Sequence, residues 1–468
     1  MGVTRKIMIG VFFAVLLSLY FFMTINIMNN ATQRNLQSKT LASVASSRNG
    51  HEDKVYLQGE VYAVREIHHP RNYHRNRTGL RMLSSVYKHL PEIKAKYSSA
   101  SSQLMDLITK LKRDIAQRKM TDEPWALADK WATTESLVPE PASGLGDVLA
   151  ALSTAPITAA DVGRGGTQLK LFLILEGRQA VVFRPMSCQM SGVNCCSGGH
   201  DIIYDDIYGG PDRPEGEIAA FHLSRLLGLR MTPLTAGRSV SLRRDILPVS
   251  TERLSSTFLT GNEGQMCFYG ICTFCNKNES VCENFNSLEG SVTMWMPERL
   301  VLEEIIHPWH RTYMKNAFAK WENNESFCEI VLQRNHSQKL LHLMDAAVFD
   351  FLIQNGDRHH YNSLAGSSDS PVVLLDNGKS FSDAGLDHMD VLAPVLQCCR
   401  LRRSMYARLV LLSGGGLSRA LRELLGLDPL APLLADAHLR ALDRRLEHVL
   451  AALSACSERK GGWHNVLF

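Results

Sequence analysis

The hydrophobic pattern opens with an uncharged, mostly apolar run over 7–28, preceded by Arg5 and Lys6. That run is long enough for one helix to cross a hydrocarbon core. A cleaved leader would carry a shorter apolar stretch ending in small residues, and no such site follows Phe22. The pattern therefore predicts a signal-anchor transmembrane helix over 7–28 with a cytoplasmic tail over 1–6. Because the positive charges lie ahead of the span, the rest of the chain is expected in the lumen, as a type II protein. Residues 29–123 are expected to form a lumenal stem, and from about Pro124 the composition turns globular. A strand, glycine-rich turn and hairpin are predicted from 163–168 together with 170–175 and 179–183. A helix is predicted over 214–226, where Pro214 starts it, Glu215 and Glu217 occupy its first turn, and Ile218, Phe221 and Leu226 share a face. Further on, a strand is expected over 291–296, a helix over 340–354, an apolar strand over 372–375, and late helices over 404–412 and 437–453, with Gly414 to Gly416 between them.

Charge changes this picture little overall: 51 basic against 47 acidic residues give a net charge of +4, which argues against a nucleic-acid binder. The basic residues are unevenly placed, however, and crowd 65–119 around the Ser-rich 98–102. That segment suits a solvated stalk or a surface for anionic sugars. Sequons at Asn30, Asn76, Asn278, Asn324 and Asn335, and eleven cysteines concentrated in the second half, agree with a lumenal, oxidising compartment. Cys272 and Cys275 have zinc-ligand spacing, but the neighbouring cysteines do not repeat it, so disulfides are the expectation.

The chemistry enters at Gly356-Asp357-Arg358-His359-His360-Tyr361-Asn362 and Leu374-Leu375-Asp376-Asn377-Gly378. Asp357, Asn362 five positions on, and Asp376 reproduce the order of a protein-kinase catalytic Asp, metal-binding Asn and second metal-binding Asp. Either string alone also suits a solvated loop or a turn. Together, behind a helix and a strand respectively, they match the helix, loop, strand, loop order of a kinase C-lobe. Phosphoryl transfer also needs a glycine turn over the phosphates, a cation on an adjoining strand and a helical carboxylate to position it. Gly165, Gly166 and Lys170 can supply the first two, and Glu217 the third, although its spacing also fits an exposed first-turn acid.

The segments GGTQLKLFLILEG, EIAAFHLSRLLGLR, STFLTGN, CFYGICTFC, EGSVTMWMPE, HPWHRTY, DAAVFDFLIQNGDRHHYN, LLDNGKSF and LAPVLQCCR together resemble the secretory-pathway kinases of the family with sequence similarity twenty. The resemblance covers about Pro124 to Cys456, and SVTMWMP and HPWHRTY are more similar to its glycosaminoglycan xylosylkinase branch than to its Golgi casein kinase branch. It implies an α+β, atypical two-lobed protein-kinase-like fold behind the transmembrane helix, stapled by disulfides. The small β-rich N-lobe, with a disulfide-rich insertion, would span 124–290 and the mostly helical C-lobe 291–468. It implies ATP with Mn2+ (or Mg2+), Gln168 and Lys170 on the phosphates, Thr293, Met294, Trp295 and Met296 as the adenine-holding hinge, and Asp357 as the catalytic residue. Asp212 and Asp376 would hold the metal, with Glu217 as the helical Glu. It further implies the cysteine pairs 267 with 282, 272 with 275, 328 with 398, and 399 with 456. The partners implied are the xylose-containing linkage glycan of proteoglycans and the Golgi membrane, and the reading admits a homo- or heterodimer with a related kinase.

Three positions depart from that family. Arg184, in Phe183-Arg184-Pro185, stands where the family has the phosphate-contacting Lys, and its longer planar fork is not a silent replacement. Asn362 stands where these kinases commonly have Glu but remains compatible with nucleotide or metal. Cys188, Cys195 and Cys196 lie outside the family's disulfide set and leave one thiol over unless it bridges chains. Two rivals to a glycan kinase stay open: a secreted-protein Ser kinase, and a nucleotide-binding pseudokinase that activates a partner, the latter motivated by Arg184.

Overall fold

The computed structural model describes residues 77–118, 122–163, 165–186, 212–311, 318–334, 337–366 and 369–468. The expected anchor over 7–28 and the extra cysteines Cys188, Cys195 and Cys196 lie outside them. The chain begins its described part with helices α1 (Arg77–Lys96), α2 (Leu104–Ala116), α3 (Pro124–Trp131) and α4 (Leu145–Thr154). A five-stranded antiparallel sheet follows, built from β1 (Ile157–Val162), β2 (Leu171–Leu175), β3 (Gln179–Pro185), β4 (Thr235–Val240) and β8 (Leu288–Met294) in the order β1-β2-β3-β8-β4. Alternation explains its faces: Leu171, Leu173 and Leu175 of β2 and Val181 and Phe183 of β3 point into an apolar core shared with Leu145, Val148 and Leu152 of α4. Arg184, one residue after Phe183, is thereby turned to the other face.

Helix α5 (Pro214–Leu226) joins this lobe to the next, for Phe221 packs in the sheet core and Ile218, Ala219 and Leu223 in the helical one. Three short strands, β5 (Phe258–Thr260), β6 (Met266–Phe268) and β7 (Val281–Cys282), carry the cysteine-rich insertion, and β9 (Leu302–Ile306) pairs with β10 (His360–Leu364). The helical lobe comprises α6 (Phe327–Arg334), α7 (Ser337–Ile353), α8 (Ala393–Cys398), α9 (Arg403–Leu411), α10 (Gly416–Leu425) and α11 (Asp436–Lys460). Leu417, Ala420, Leu421 and Leu424 show how α10 is specified, since their spacing puts all of them on one buried face. The central α7 is buried nearly all round, as a helix inside a core must be.

Two expectations change. The basic segment is not wholly a stalk: α1 lies along α11 with Val86 and Ile93 buried, and Leu104, Leu107, Ile108 and Leu111 of α2 join the same core. Its cations still face water, where Lys88 meets Glu458 at 3.2 Å. The strand expected over 372–375 is reduced to one bridge, Val373 to Asn362, because this apolar run threads through the core instead of extending a sheet. The Cys267–Cys282, Cys272–Cys275, Cys328–Cys398 and Cys399–Cys456 disulfides are present, which replaces the zinc reading of Cys272 and Cys275. Cys399–Cys456 closes a loop of 57 positions onto α11. Removing it with paired Ser substitutions is expected to cost up to about 4 kcal/mol of stability on chain-entropy grounds, measured as a lowered denaturation midpoint.

Candidate active site

The glycine turn sets the upper wall of the cleft between the lobes. Gly165 and Gly166 take φ of 72° and 94°, and a Cβ on Gly166 would come within 2.6 Å of the Lys170 Nζ. The positive φ is what calls for glycine here, and the bare Cα leaves room for the lysine tip. The disulfide knuckle braces the same turn, since the N–H groups of Thr273 and Phe274 donate to the carbonyls of Gly166 and Thr167. The hinge segment leaves β8 with Thr293 bonded to Thr235 and the Trp295 N–H donating to the Ala180 carbonyl. The Trp295 ring stands edge-on to Phe172 with 43 % of the residue exposed. Met294 is buried in the sheet core and Met296 packs partly against it.

At the centre of the cleft is Arg184. Its guanidinium donates to Asp212 Oδ2 at 2.6 Å and to Asp376 Oδ1 at 2.7 Å, while its Nε lies 3.5 Å from Glu217 Oε1. Burial disfavours the Arg184 charge, but Asp376, Glu217 and Asp212 outweigh it and leave its pKa above the ordinary value. Arg184 in turn holds the Asp376 carboxyl below the usual range, although 77 % of the Asp376 side chain is open to the cleft. Glu217 is pushed upward by burial, partly opposed by Arg184. Burial and the neighbouring Arg184 both lower the Lys170 pKa, so Lys170 belongs to the same electrostatic cluster.

Local chain geometry preorganises the acids. Asp376 takes a φ of 57°, the left-handed region, directly before Asn377. Asn377, fully buried, donates its backbone N–H to Glu217 Oε1 at 3.0 Å and its side-chain amide to Glu217 Oε2 at 3.1 Å. Asp212 is docked from the next turn: the Arg213 N–H donates to the Gly378 carbonyl at 2.7 Å, and Lys379 lies 3.4 Å from Asp212 Oδ1. A Cβ on Gly378 would come within 2.8 Å of the Asp212 carboxyl carbon, so this approach depends on glycine.

Asp357 lies on the loop after α7. Asn355 Oδ1 accepts from its backbone N–H, and Arg358 beside it is fixed by both oxygens of Asp350, the Leu375 carbonyl and Asn377 Oδ1. Arg358 thus ties the Asp357 loop to the Asp376 loop. His359 Nδ1 sits 2.8 Å from the Asp357 carbonyl oxygen and 3.5 Å from Oδ1, and hydrogen bonding to Asp357 raises its pKa. A raised histidine pKa means a contribution present below the unfolded value, about 6.5, and lost as pH rises through the higher folded value. The melting-temperature gap between the wild type and His359→Gln is therefore expected to be wider at pH 5.5 than at pH 8. Equal gaps would show that the contact contributes nothing.

The structure brings Lys170, Arg184, Asp212, Glu217 and Asp376 together, with Asp357 on the loop tied to them. Gln168 is half-buried beside the glycine turn. Asn362 is paired through its backbone to Glu304 and Val373 on the strand that follows the Asp357 loop. Lys379, Asn377, Arg358 and Asp350 belong to the site and were not singled out from sequence. Lys379 and Asn377 could have been found from their place beside Asp376, while Asp350 shows only the periodicity of a core helix.

No group of three His, Cys, Asp or Glu side chains is arranged as a metal cage among the described residues. Asp212 and Asp376, both in hydrogen-bond reach of one cation, do fit the two-carboxylate type of Mg2+ or Mn2+ site, which takes its other ligands from phosphate and water.

The family model described as Golgi casein kinase, C-terminal, Fam20 matches residues 123–465. Human glycosaminoglycan xylosylkinase is 44 % identical over 343 residues, covering 72 % of this chain and 81 % of that protein. Among solved structures, that of hydra Fam20 with sugar has a TM-score of 0.69 and 39 % identity, covering 75 % of this chain and 99 % of the other. The Golgi casein kinase with Mn/ADP bound has a TM-score of 0.66 and 25 % identity, covering 90 % of this chain and 95 % of the other. With a two-lobed kinase-like body, a charged cleft between the lobes and a family match that spans both, the chain belongs to the Fam20 family and is a phosphotransferase acting on a hydroxyl acceptor.

Proposed function

We propose that this chain is a type II Golgi-membrane enzyme that transfers the γ-phosphoryl group of ATP to the 2-hydroxyl of xylose in the glycosaminoglycan-protein linkage region, promoting proteoglycan assembly. The observation that carries the substrate class is the 44 % identity to a glycosaminoglycan xylosylkinase across most of the chain. The likeness to a Fam20 structure with sugar supports an acceptor of that kind.

In this reading Asp357 accepts the proton of the attacking hydroxyl, from a loop that Asn355 and Arg358 hold in place. Lys170, Arg184 and Gln168 bind and orient the phosphates, and Thr293 to Met296 provide the edge against which adenine lies. Asp212 and Asp376 hold a divalent ion, Mn2+ by likeness to the Mn/ADP-bound neighbour. When bound, that ion neutralises charge on the transferring group. Glu217, gripped by Asn377, positions the cation on β3. The work of the residues is thus placement and charge neutralisation, with no covalent intermediate.

The acceptor class is tested by offering the full-length protein labelled ATP and Mn2+ with a galactosyl-xylose glycoside, a casein-like peptide or neither. Label confined to the sugar is expected. Efficient peptide labelling with an inert sugar would assign the chain to the protein-serine kinases. Nucleotide binding without transfer to any acceptor would assign it to the pseudokinases.

A further inference from the structure

The fork of Arg184 occupies the two carboxylates that the proposed function gives to the metal. Those carboxylates do not share a cation by accident of flexible side chains. Asp212 is docked through Arg213 and Gly378, the left-handed backbone at Asp376 sets the direction in which its side chain leaves the chain, and the Arg184 side chain is only 12 % exposed. We infer that Arg184 sets the metal requirement of this cleft: its guanidinium is a resident counter-ion across Asp212 and Asp376, and a divalent ion enters only by displacing it. This inference rests on the proposed roles of Asp212 and Asp376.

A planar guanidinium presents its donors in a fixed fork that spans two carboxylates, whereas an ammonium is a point donor on a flexible stem. Lys at the same position keeps the charge but cannot hold both acids in this way. The displaced guanidinium has somewhere to go: Glu217 Oε1 already lies 3.5 Å from its Nε, and the nucleotide phosphates offer further acceptors. Arg184, Lys170 and Lys379 stand against Asp212, Glu217 and Asp376, so the cluster is formally neutral with no metal bound. The count is the same with Lys at 184, so the fork and not the net charge separates the two side chains.

Direct Mn2+ binding tests this without any acceptor or turnover. The free Mn2+ electron paramagnetic resonance signal is titrated with full-length wild type and Arg184→Lys, each in the absence of nucleotide. Breaking a charge-assisted contact on each acid is expected to make wild type bind at least roughly tenfold more weakly than the charge-conserving variant. Isotherms that coincide within about twofold would overturn the inference. Should Arg184→Lys fail to fold, judged by its melting curve, a structure of wild type with Mn2+ and ADP carries the test. The guanidinium is expected to have left at least one of the two carboxylates for Glu217 or a phosphate oxygen. An ion bound with both contacts intact would overturn the inference. Tighter Mn2+ binding by Arg184→Lys, with wild type transferring no phosphate to any sugar, would keep the inference and reject the substrate reading. The converse result separates them equally well.

Discussion

Asp357→Asn is expected to lower phosphotransfer by about a hundredfold to ten-thousandfold, the range ascribed to a lost general base, while nucleotide binding changes little. The substitution keeps the shape of the side chain and leaves the backbone contact from Asp357 N–H to Asn355 in place. Steady-state rates at saturating ATP, with nucleotide affinity measured separately, distinguish a chemical role from a binding one. Turnover within a few fold of wild type would remove Asp357 from the mechanism. So would a loss that appears only as weakened ATP binding.

The second large effect is expected at Asp350, which never touches a reacting group. Asp350 and Arg358 are each 6 % exposed and meet through two hydrogen bonds at 2.6 and 2.8 Å. Burial pushes the Asp350 pKa up and Arg358 opposes that push, as in a desolvated ion pair. Asp350→Ala strands the buried guanidinium, a change that typically costs about 3–5 kcal/mol. For a body of this size that corresponds to a melting temperature lower by roughly 4–7 °C. Because Arg358 also bonds Leu375 and Asn377, the Asp357 and Asp376 loops should loosen together, so turnover falls well below the loss explained by unfolding. A melting temperature within about 1 °C of wild type would show that the pair is solvated and its bridging role absent.

These two positions illustrate what the sequence does and does not disclose. Asp357 and Asp376 are legible from the spacing of the two motifs, and the helix over 214–226 is found to the residue because Pro214 and the first-turn acids mark its start. The Arg358 to Asp350 link is not legible, since an Asp at the fourteenth place of an apolar helix has no pattern of its own until the loop folds back on it. The fork of Arg184 on Asp212 and Asp376 joins three segments far apart in the chain, and only the closed lobes bring them together. Sequence reading failed differently at the basic segment. There Lys and Arg are interleaved with Leu104, Leu107, Ile108 and Leu111, whose spacing marks one apolar helical face. The run at 372–375 failed because a short, fully buried apolar stretch carries no period by which to tell a strand from a core-crossing loop.

Transfer to a sugar hydroxyl through the Asp357 and Asp376 loops is tested by locating the phosphate. Wild-type full-length protein is incubated with ATP, Mn2+ and a galactosyl-xylose glycoside, and the product is examined by phosphorus-proton correlation spectroscopy beside a parallel reaction with Asp357→Asn. Phosphate is expected on the 2-oxygen of xylose with wild type, and next to none with the variant. Phosphate on another hydroxyl, on no sugar at all, or in equal amount from both proteins would contradict it.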